Sequence, residues 1–254
     1  DVSSVITGPL LRRFLAHPAM FQHALDQFPL ACMLVMGFEG DELRTRDELD
    51  EASTLAMRAT GRDLGPEPGE HWYRHRYDLS WKLPKVFTKG AFAETVEVAG
   101  LWRDVPRIYK AVRSGLMNRV SVMAHFSHAY REGCALYFTV AGAAGSPKGR
   151  LDLYDWTISM ALNRAMQAGA TVSHHHGVGL MKRAHTQDEY KGGSRLFWSA
   201  KRAMDPGCVM NPQKVYPTTG PVVREDYIPA ENGPDFSTML SWDHRSRSRN
   251  EVSP

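Results

Sequence analysis

The chain has 254 residues, of which 43% are hydrophobic and 23% charged, so it can form a sizeable core and is not of the disordered class. A formal net charge of +3 gives little support for nucleic acid as a partner. No apolar run is long enough for a membrane span. The three cysteines, Cys32, Cys134 and Cys208, are odd in number and lack a CxxC spacing, which argues against a disulfide framework. We therefore expect a protein of a reducing compartment, the cytoplasm.

The first half of the chain predicts two helices and one buried strand. Apolar residues of helical period predict a helix over 8–27, with Pro18 as a point of division. The continuous apolar run LACMLVMGFEG, 30–40, predicts a buried strand. A helix is predicted over 45–61, because this segment has acids in its first turn and a glycine at its end. Residues 62–70 contain two prolines and two glycines and are typical of a loop.

Strands and helices alternate in the second half of the chain. Strands are predicted over 91–98, 119–127 and 133–142, and helices over 101–116 and 151–169. A further helix is predicted within 188–207, ending at Asp205-Pro206-Gly207. In the first of these strands Phe92, Val96 and Val98 share one face, whereas Thr95 and Glu97 point the other way. This order of elements predicts an α+β fold with helices on one face of a mostly antiparallel sheet.

Three consecutive histidines, His174, His175 and His176, follow the helix that ends at Gly169. Their internal position rules out an expression tag. A metal site would need further ligands, such as His125 or His128, and no HExxH or Cys/His spacing supports one. The residue types leave two other readings open: an exposed loop, and a polar cluster lining an active site, where imidazoles bind anions or move protons.

A tyrosine stands in the otherwise apolar strand 133–142. Alternation places Tyr137 and Thr139 on one face of this strand. On spacing alone, a strand tyrosine is more often a packing residue than an acid or base.

Three segments together resemble the C-terminal half of FAD-linked oxidases of the vanillyl-alcohol oxidase type. They are GCALYFTVAG (133–142), ATVSHHHGVG (170–179) and RAMDPGCVMNPQKVYP (202–217). Relatives that oxidise 2-hydroxy acids commonly carry glutamate where His175 stands, so the triplet is similar to the alkylglycerone-phosphate synthase branch of the family. The resemblance covers roughly residues 25–217.

The resemblance implies a fold, a cofactor and a partner. We expect a connecting helix over 1–24, a ferredoxin-like cap or substrate domain over 25–217, and an extended or partly disordered tail over 218–254. It implies FAD, held by an N-terminal FAD-binding domain in the same polypeptide or in a separate chain. This chain is then expected to be the C-terminal portion of a longer enzyme. It further implies a small-molecule or lipid substrate, with a homodimer left open.

The resemblance also assigns roles to residues. Tyr137 matches an acid/base tyrosine, and His174, His175 and His176 match a histidine cluster beside the flavin and the substrate. His176, Gly177 and Asn211 are expected to contact the cofactor. No arginine matches the family's phosphate-binding position unambiguously, so Arg74, Arg76 and Lys82 are the expected substitutes.

The implied reaction exchanges the acyl group of an acylated dihydroxyacetone phosphate for a fatty alcohol. The alternatives are an FAD-dependent oxidoreductase acting on a 2-hydroxy acid or alcohol and, from another class, a non-catalytic chain that binds a metal or a partner.

Overall fold

The computed structural model describes residues 17–27, 32–77, 86–87, 90–212 and 214–215. These residues fall into two compact units. The first unit contains residues 17–23 and those from Val86 onward, and the second contains residues 24–77. The N-terminal part of the helix predicted over 8–27 and the tail predicted over 218–254 lie outside the described residues.

Seven helices and three strands have defined bounds within the described residues. The helices are α1 Pro18–Asp26, α2 Glu42–Arg58, α3 Glu67–His75, α4 Val105–Leu116, α5 Pro147–Gln167, α6 Arg183–Tyr190 and α7 Gly193–Met204; the strands are β1 Ala91–Leu101, β2 Ser121–Ala129 and β3 Gly133–Ala143.

The first unit is built on an antiparallel sheet of these three strands in the order β1-β3-β2. Helix α4 joins β1 to β2, and β3 lies between them, which is the split βαβ arrangement. The predicted α+β class is therefore confirmed. The described part of the sheet has three strands, and Ala99 of β1 forms one further antiparallel bridge with Thr171.

Helices α4 and α5 cover one face of this sheet, as predicted. Along β3 the buried residues Leu136, Phe138 and Val140 alternate with half-buried Tyr137 and Thr139, so the two faces are clearly distinguished. The core on the helical face contains residues of both helices and all three strands, among them Val96, Val98, Ile108, Val112, Leu116, Val122, Trp156 and Leu162. Full burial of such an aliphatic side chain stabilises the fold by about 1.5–3 kcal/mol.

Helix α5 begins four residues before its predicted start at residue 151. The hydroxyl of Ser146 accepts the amide of Gly149 at 3.0 Å, and Pro147 occupies the first turn, where its missing N–H costs nothing. The helix ends at Gln167, and Gly169, predicted to close it, has a left-handed φ of 89°, as glycine commonly does just after a helix end.

The second unit contains a wrong prediction. Residues 32–39 of the predicted buried strand 30–40 form no strand, and Met33 and Leu34 are 63% and 70% exposed. An apolar run gives strand propensity, but a strand needs a neighbour to pair its backbone groups. Among the described residues no strand pairs with 32–39.

Helix starts in the second unit also differ from prediction. Helix α2 begins at Glu42 rather than near residue 45, because the carboxylate of Asp41 accepts the amides of Leu43 and Arg44. Helix α3 begins at Glu67, inside the predicted loop 62–70, because two of the residues taken as loop signals, Pro66 and Pro68, are also compatible with a helix start.

The helix predicted within 188–207 is α7, whereas α6, which precedes it, was not predicted. Lys191 has a left-handed φ of 45°, and together with the following Gly192 it breaks the helical path between them. Helix α7 ends, as predicted, at Asp205-Pro206-Gly207. The Asp205 carboxylate then accepts the amides of Val209 and Met210 at 3.0 and 2.9 Å.

Candidate active site

The sheet face opposite the helices carries a row of polar side chains. The strand register pairs Tyr137 of β3 with Glu97 of β1 on one side and with His125 of β2 on the other. Directly paired residues project from the same face, so a carboxylate, a phenol and an imidazole stand side by side. The next row along the strands pairs Thr139 with Thr95, whose hydroxyls lie 3.5 Å apart.

A loop of residues 171–177, called here the histidine loop, approaches this row. Its start is fixed by two backbone hydrogen bonds between Thr171 and Ala99 of β1, at 2.9 and 3.2 Å. The Glu189 carboxylate of α6 accepts the amide of Val172 at 2.9 Å and the hydroxyl of Thr171. Gly177, at the end of the loop, has a φ of 76°, which glycine adopts without steric cost.

The histidine loop brings its imidazoles to Tyr137. The phenol oxygen of Tyr137 hydrogen-bonds Nε2 of His175, and the ring of His176 has its centroid 4.9 Å from that of Tyr137. Nδ1 of His174 lies 2.7 Å from Nδ1 of His175. The structure therefore brings together all four residues that the sequence predicted as catalytic.

Histidines of β2 extend this cluster. The ring of His128 lies edge-on to His175, with centroids 4.6 Å apart, and Nδ1 of His128 is 2.8 Å from the hydroxyl of Ser127. The ring of His125 has its centroid 5.9 Å from that of Tyr137. Imidazole side chains of β2 and of the histidine loop thus cluster around the phenol of Tyr137 and its partner His175.

A buried ion pair lies beneath the loop. Oε1 of Glu97 accepts the backbone amides of His174 and His175 at 2.9 and 3.2 Å. Nζ of Lys182 donates to Oε2 of Glu97 at 3.1 Å and to the Glu97 carbonyl at 2.6 Å. The side chains of Glu97 and Lys182 are 0% and 1% exposed. Every polar atom of this pair is therefore engaged away from water, as buried charges require.

The surroundings raise the pKa of Tyr137 and lower the pKa values of His175 and Glu97. Burial raises the pKa of Tyr137 above its ordinary value, and the negative charge of Glu97 raises it further. Desolvation lowers the pKa of His175, with smaller contributions from the neighbouring histidines, while Glu97 opposes the change. Burial alone would raise the pKa of Glu97, but its contacts with Lys182 and the loop amides lower it overall. At neutral pH the site therefore holds a protonated phenol, a neutral imidazole and an ionised carboxylate.

This arrangement favours proton transfer over metal binding. One potential ligand atom from each of Glu97, His174 and His175 lies within 4.8 Å of the other two. The Glu97 oxygens, however, already accept one ammonium and two amide donors. The phenol–imidazole contact can instead pass a proton between a reacting atom and the histidines behind it.

Two of the predicted substrate-binding residues, Arg74 and Arg76, have partners within their own unit. Arg74 forms an ion pair with Glu70 at 2.9 Å, and the guanidinium of Arg76 lies 3.8 Å from the ring centroid of Tyr73. Both arginines belong to the second unit, and Lys82 lies outside the described residues. Asn211, predicted to contact the cofactor, is exposed and has a left-handed φ of 48°. Their binding roles remain predictions.

The sequence did not identify the Glu97–Lys182 pair. It correctly predicted that Glu97 points away from Val96 and Val98, but not that the histidine loop covers this face. One signal was available, because a carboxylate within the apolar strand segment VEVAG needs a buried partner if that strand is covered on both sides.

Comparison with models of protein families assigns the chain to a family. The model of a family described as FAD linked oxidases, C-terminal domain, matches residues 12–215. The chain belongs to this family, whose members are FAD-linked enzymes.

Similar curated proteins include alkyldihydroxyacetonephosphate synthases and an FAD-linked oxidoreductase. The chain is 27% identical over 198 residues to the alkyldihydroxyacetonephosphate synthase of Trypanosoma brucei brucei, an alignment that covers 73% of this chain and 32% of the relative. It is 24% identical over 227 residues to the synthase of Dictyostelium discoideum, covering 85% of this chain and 36% of the relative. The uncharacterized FAD-linked oxidoreductase YgcU of Escherichia coli (strain K12) is also 24% identical, covering 58% of this chain and 34% of the relative.

The chain thus spans about a third of the length of the curated relatives it matches. A solved alkyldihydroxyacetonephosphate synthase is similar in structure, with 18% identity, a TM-score of 0.48, and coverage of 70% of this chain and 31% of the solved one. Within the described residues, no helix has the length and apolar character needed to cross a bilayer.

Proposed function

We propose that the chain supplies the acid–base residues of an FAD-dependent enzyme resembling alkyldihydroxyacetonephosphate synthase. The proposed reaction exchanges the acyl group of an acylated dihydroxyacetone phosphate for a fatty alcohol, a step of ether-lipid synthesis. One observation carries the proposal: the phenol of Tyr137 hydrogen-bonds His175 at an exposed loop, in a chain of this flavin-linked family.

Tyr137 and His175 act as a proton-transfer pair in this proposal. The neutral Nε2 of His175 accepts the phenol proton when Tyr137 takes a proton from the substrate carbon, and returns it when the acyl oxygen leaves. His174, whose Nδ1 lies 2.7 Å from Nδ1 of His175, can share the charge that forms. FAD, when bound, supplies the electron-accepting ring system that the side chains of this chain lack.

The exposed edge of the histidine loop fits an approaching flavin. His174, His175, His176 and Gly177 are all exposed, and a Cβ at Gly177 would meet no heavy atom within 4 Å. His176 and Gly177, and Asn211 from the segment after α7, are the residues proposed to contact the cofactor. The flavin itself would be held by the N-terminal FAD-binding domain of the same polypeptide or of a separate chain.

A second candidate is an FAD-dependent oxidoreductase of a 2-hydroxy acid. The charge distribution favours it in one respect, since a phosphorylated substrate needs a cation beside Tyr137. Lys182 is already paired with Glu97, and Arg74 and Arg76 have partners within the second unit. A hydroxy acid needs no phosphate-binding cation.

The substrate distinguishes the two candidates. The flavoenzyme containing this chain is incubated without oxygen with acyl-dihydroxyacetone phosphate and a fatty alcohol, and separately with a set of 2-hydroxy acids. Acyl–alkyl exchange without net flavin reduction supports the proposal, whereas bleaching of the flavin by a hydroxy acid supports the second candidate. If the chain, combined with its FAD-binding partner, yields neither a flavin spectrum nor turnover, both are wrong and the non-catalytic reading gains support.

A further inference from the structure

The histidine loop is held at two places by carboxylates from different elements. Glu189 of α6 binds the amide of Val172 and the hydroxyl of Thr171 at the start of the loop. Glu97 of β1 binds the amides of His174 and His175 at its centre. The second contact fixes the backbone of the residue whose imidazole meets Tyr137.

Glu97 can hold this position because Lys182 fixes it in turn. Lys182 donates both to the Glu97 carboxylate and to the Glu97 main-chain carbonyl, so it restrains the side chain from two points. With the carboxylate thus oriented, Oε1 faces the two loop amides. A charged acceptor makes these amide contacts stronger than a neutral one would.

We propose that Glu97, locked by Lys182, is the positioning residue that sets His175 against Tyr137. The Glu97 carboxylate approaches His175 on the Nδ1 side of its ring, at 3.8 Å, and not at the Nε2 that meets Tyr137. That carboxylate fixes the loop backbone. Glu97 is also the residue of β1 that is directly paired with Tyr137 of β3, so its charge influences the pH at which Tyr137 gives up its proton. The link to catalysis rests on the acid–base function proposed above, but the physical effect on Tyr137 and His175 does not.

Several other groups face Tyr137 and Glu97 and influence their pKa values. Those around Tyr137 are His125 of β2, Tyr130 after its end, and His175 and His176 of the loop. His128 of β2 faces His175. Those around Glu97 are Lys182, His174 and His175, and Glu189 acts on Lys182 from α6. A useful variant must therefore change Glu97 without leaving a new buried charge.

The test uses the paired variant Glu97→Gln with Lys182→Met, which removes both buried charges together. A matched control, Glu189→Gln, alters the other carboxylate of the same loop, away from Tyr137. In the 254-residue chain, NMR follows the phenol carbon of Tyr137 through its titration and the hydrogen exchange of the loop amides. We expect the paired variant to shift the Tyr137 midpoint to lower pH and to speed exchange at His174 and His175 at least tenfold. In the control, the Tyr137 midpoint stays where it is in the wild type.

The unmodified chain provides a measurement that needs no variant. The amides of His174 and His175 should exchange at least tenfold more slowly than that of His176, which makes no contact with Glu97. Equal exchange at the three amides would show that Glu97 does not hold the loop. An unchanged Tyr137 midpoint in a folded paired variant would likewise overturn the proposal.

Kinetics of the flavoenzyme separate this inference from the proposed function. A positioning role predicts a fall in kcat of at least tenfold in the paired variant with little change in KM. If Tyr137→Phe leaves turnover intact, the proposed acid–base function fails, while the titration and exchange results still decide the role of Glu97.

Discussion

Tyr137 and His175 are 38 positions apart in sequence, yet the phenol of one hydrogen-bonds the imidazole of the other. Two independent features create this contact: the β1–β3 register, which places Tyr137 beside Glu97, and the loop amides, which bind the same carboxylate. The pair is therefore held in place by buried structure on one side while remaining open to a ligand on the other.

Replacing Tyr137 by phenylalanine tests the role of the phenol. Phenylalanine keeps the ring and loses only the hydroxyl, so folding should be retained while kcat falls by about 10²–10⁴-fold, the usual contribution of general acid–base catalysis. Steady-state kinetics of the flavoenzyme measure the effect, and the flavin spectrum checks assembly.

Tyr109→Phe is the matched control for that variant. Tyr109 packs against the core on the helical side of the sheet, where its ring lies 6.1 Å from that of Phe126. The Tyr109→Phe substitution should leave kcat within twofold of the wild type. Near-normal turnover by Tyr137→Phe would remove the phenol from the mechanism.

The pH profile of kcat should have a wide plateau around neutrality. Burial lowers the pKa of His175 below its ordinary value of about 6.5 and raises that of Tyr137 above about 10. His175 is thus the neutral acceptor at pH 7, and activity should be lost as the pH falls through its lowered pKa. On the alkaline side, activity should be lost only as Tyr137 ionises, above about pH 10.

His175→Gln provides the check on that assignment. Glutamine can occupy the hydrogen-bonding position but cannot take up a proton, so kcat should fall and the remaining activity should lose its acid limb. If the activity of His175→Gln still falls at the same acidic pH, the group that titrates there is not His175.

Particular residues show what the sequence could and could not predict. The alternation of Leu136, Tyr137 and Phe138 fixed the two faces of β3 correctly, because period two is a local property of a strand. The prediction of a strand over 30–40 was wrong, because a strand forms only where another strand can pair with its backbone. The catalytic roles predicted for Tyr137 and for the three consecutive histidines, 174–176, came from the resemblance to a family. The Glu97–Lys182 pair was missed because it joins residues 85 positions apart through tertiary packing alone.

Glycine at position 133 should be essential to the β1–β3 pairing. Gly133 pairs with Leu101 at the end of the ladder, and a Cβ there would lie 2.2 Å from the carbonyl oxygen of Gly100. Because the obstructing atom is backbone, Gly133→Ala must displace a strand, and we expect a loss of about 1–3 kcal/mol in the free energy of unfolding. Denaturant unfolding measures it.

Gly145→Ala is the control for this effect. A Cβ at Gly145 meets nothing within 4 Å, and the residue precedes α5 rather than lying in the sheet. This substitution should change the free energy of unfolding by less than about 0.5 kcal/mol. If Gly133→Ala is equally mild, the close approach between the two strands is not as the structure describes.

His185 should make the protein less stable in mild acid. It is buried in α6, and its Nδ1 has no hydrogen-bond partner among the described residues. Burial lowers its pKa to about 4, with Asp188 partly opposing the change, whereas the unfolded chain titrates near 6.5. Between these values the unfolded state binds more protons, so the free energy of unfolding falls as pH falls from about 6.5 to about 4, by on the order of 3 kcal/mol.

Asp155 acts in the opposite direction over part of the same range, so the comparison must be made between variants. Burial, and next the charge of Asp152, raise the pKa of Asp155 to about 6, and this contribution to stability is lost as pH rises through that value. Urea unfolding of the wild type and of His185→Gln at pH 7.5 and pH 5 isolates the histidine, since the Asp155 contribution is common to both. The wild type should lose more stability between the two pH values than His185→Gln, whereas the exposed His23→Gln should behave as the wild type. Equal losses in all three chains would mean that His185 is not the buried neutral group.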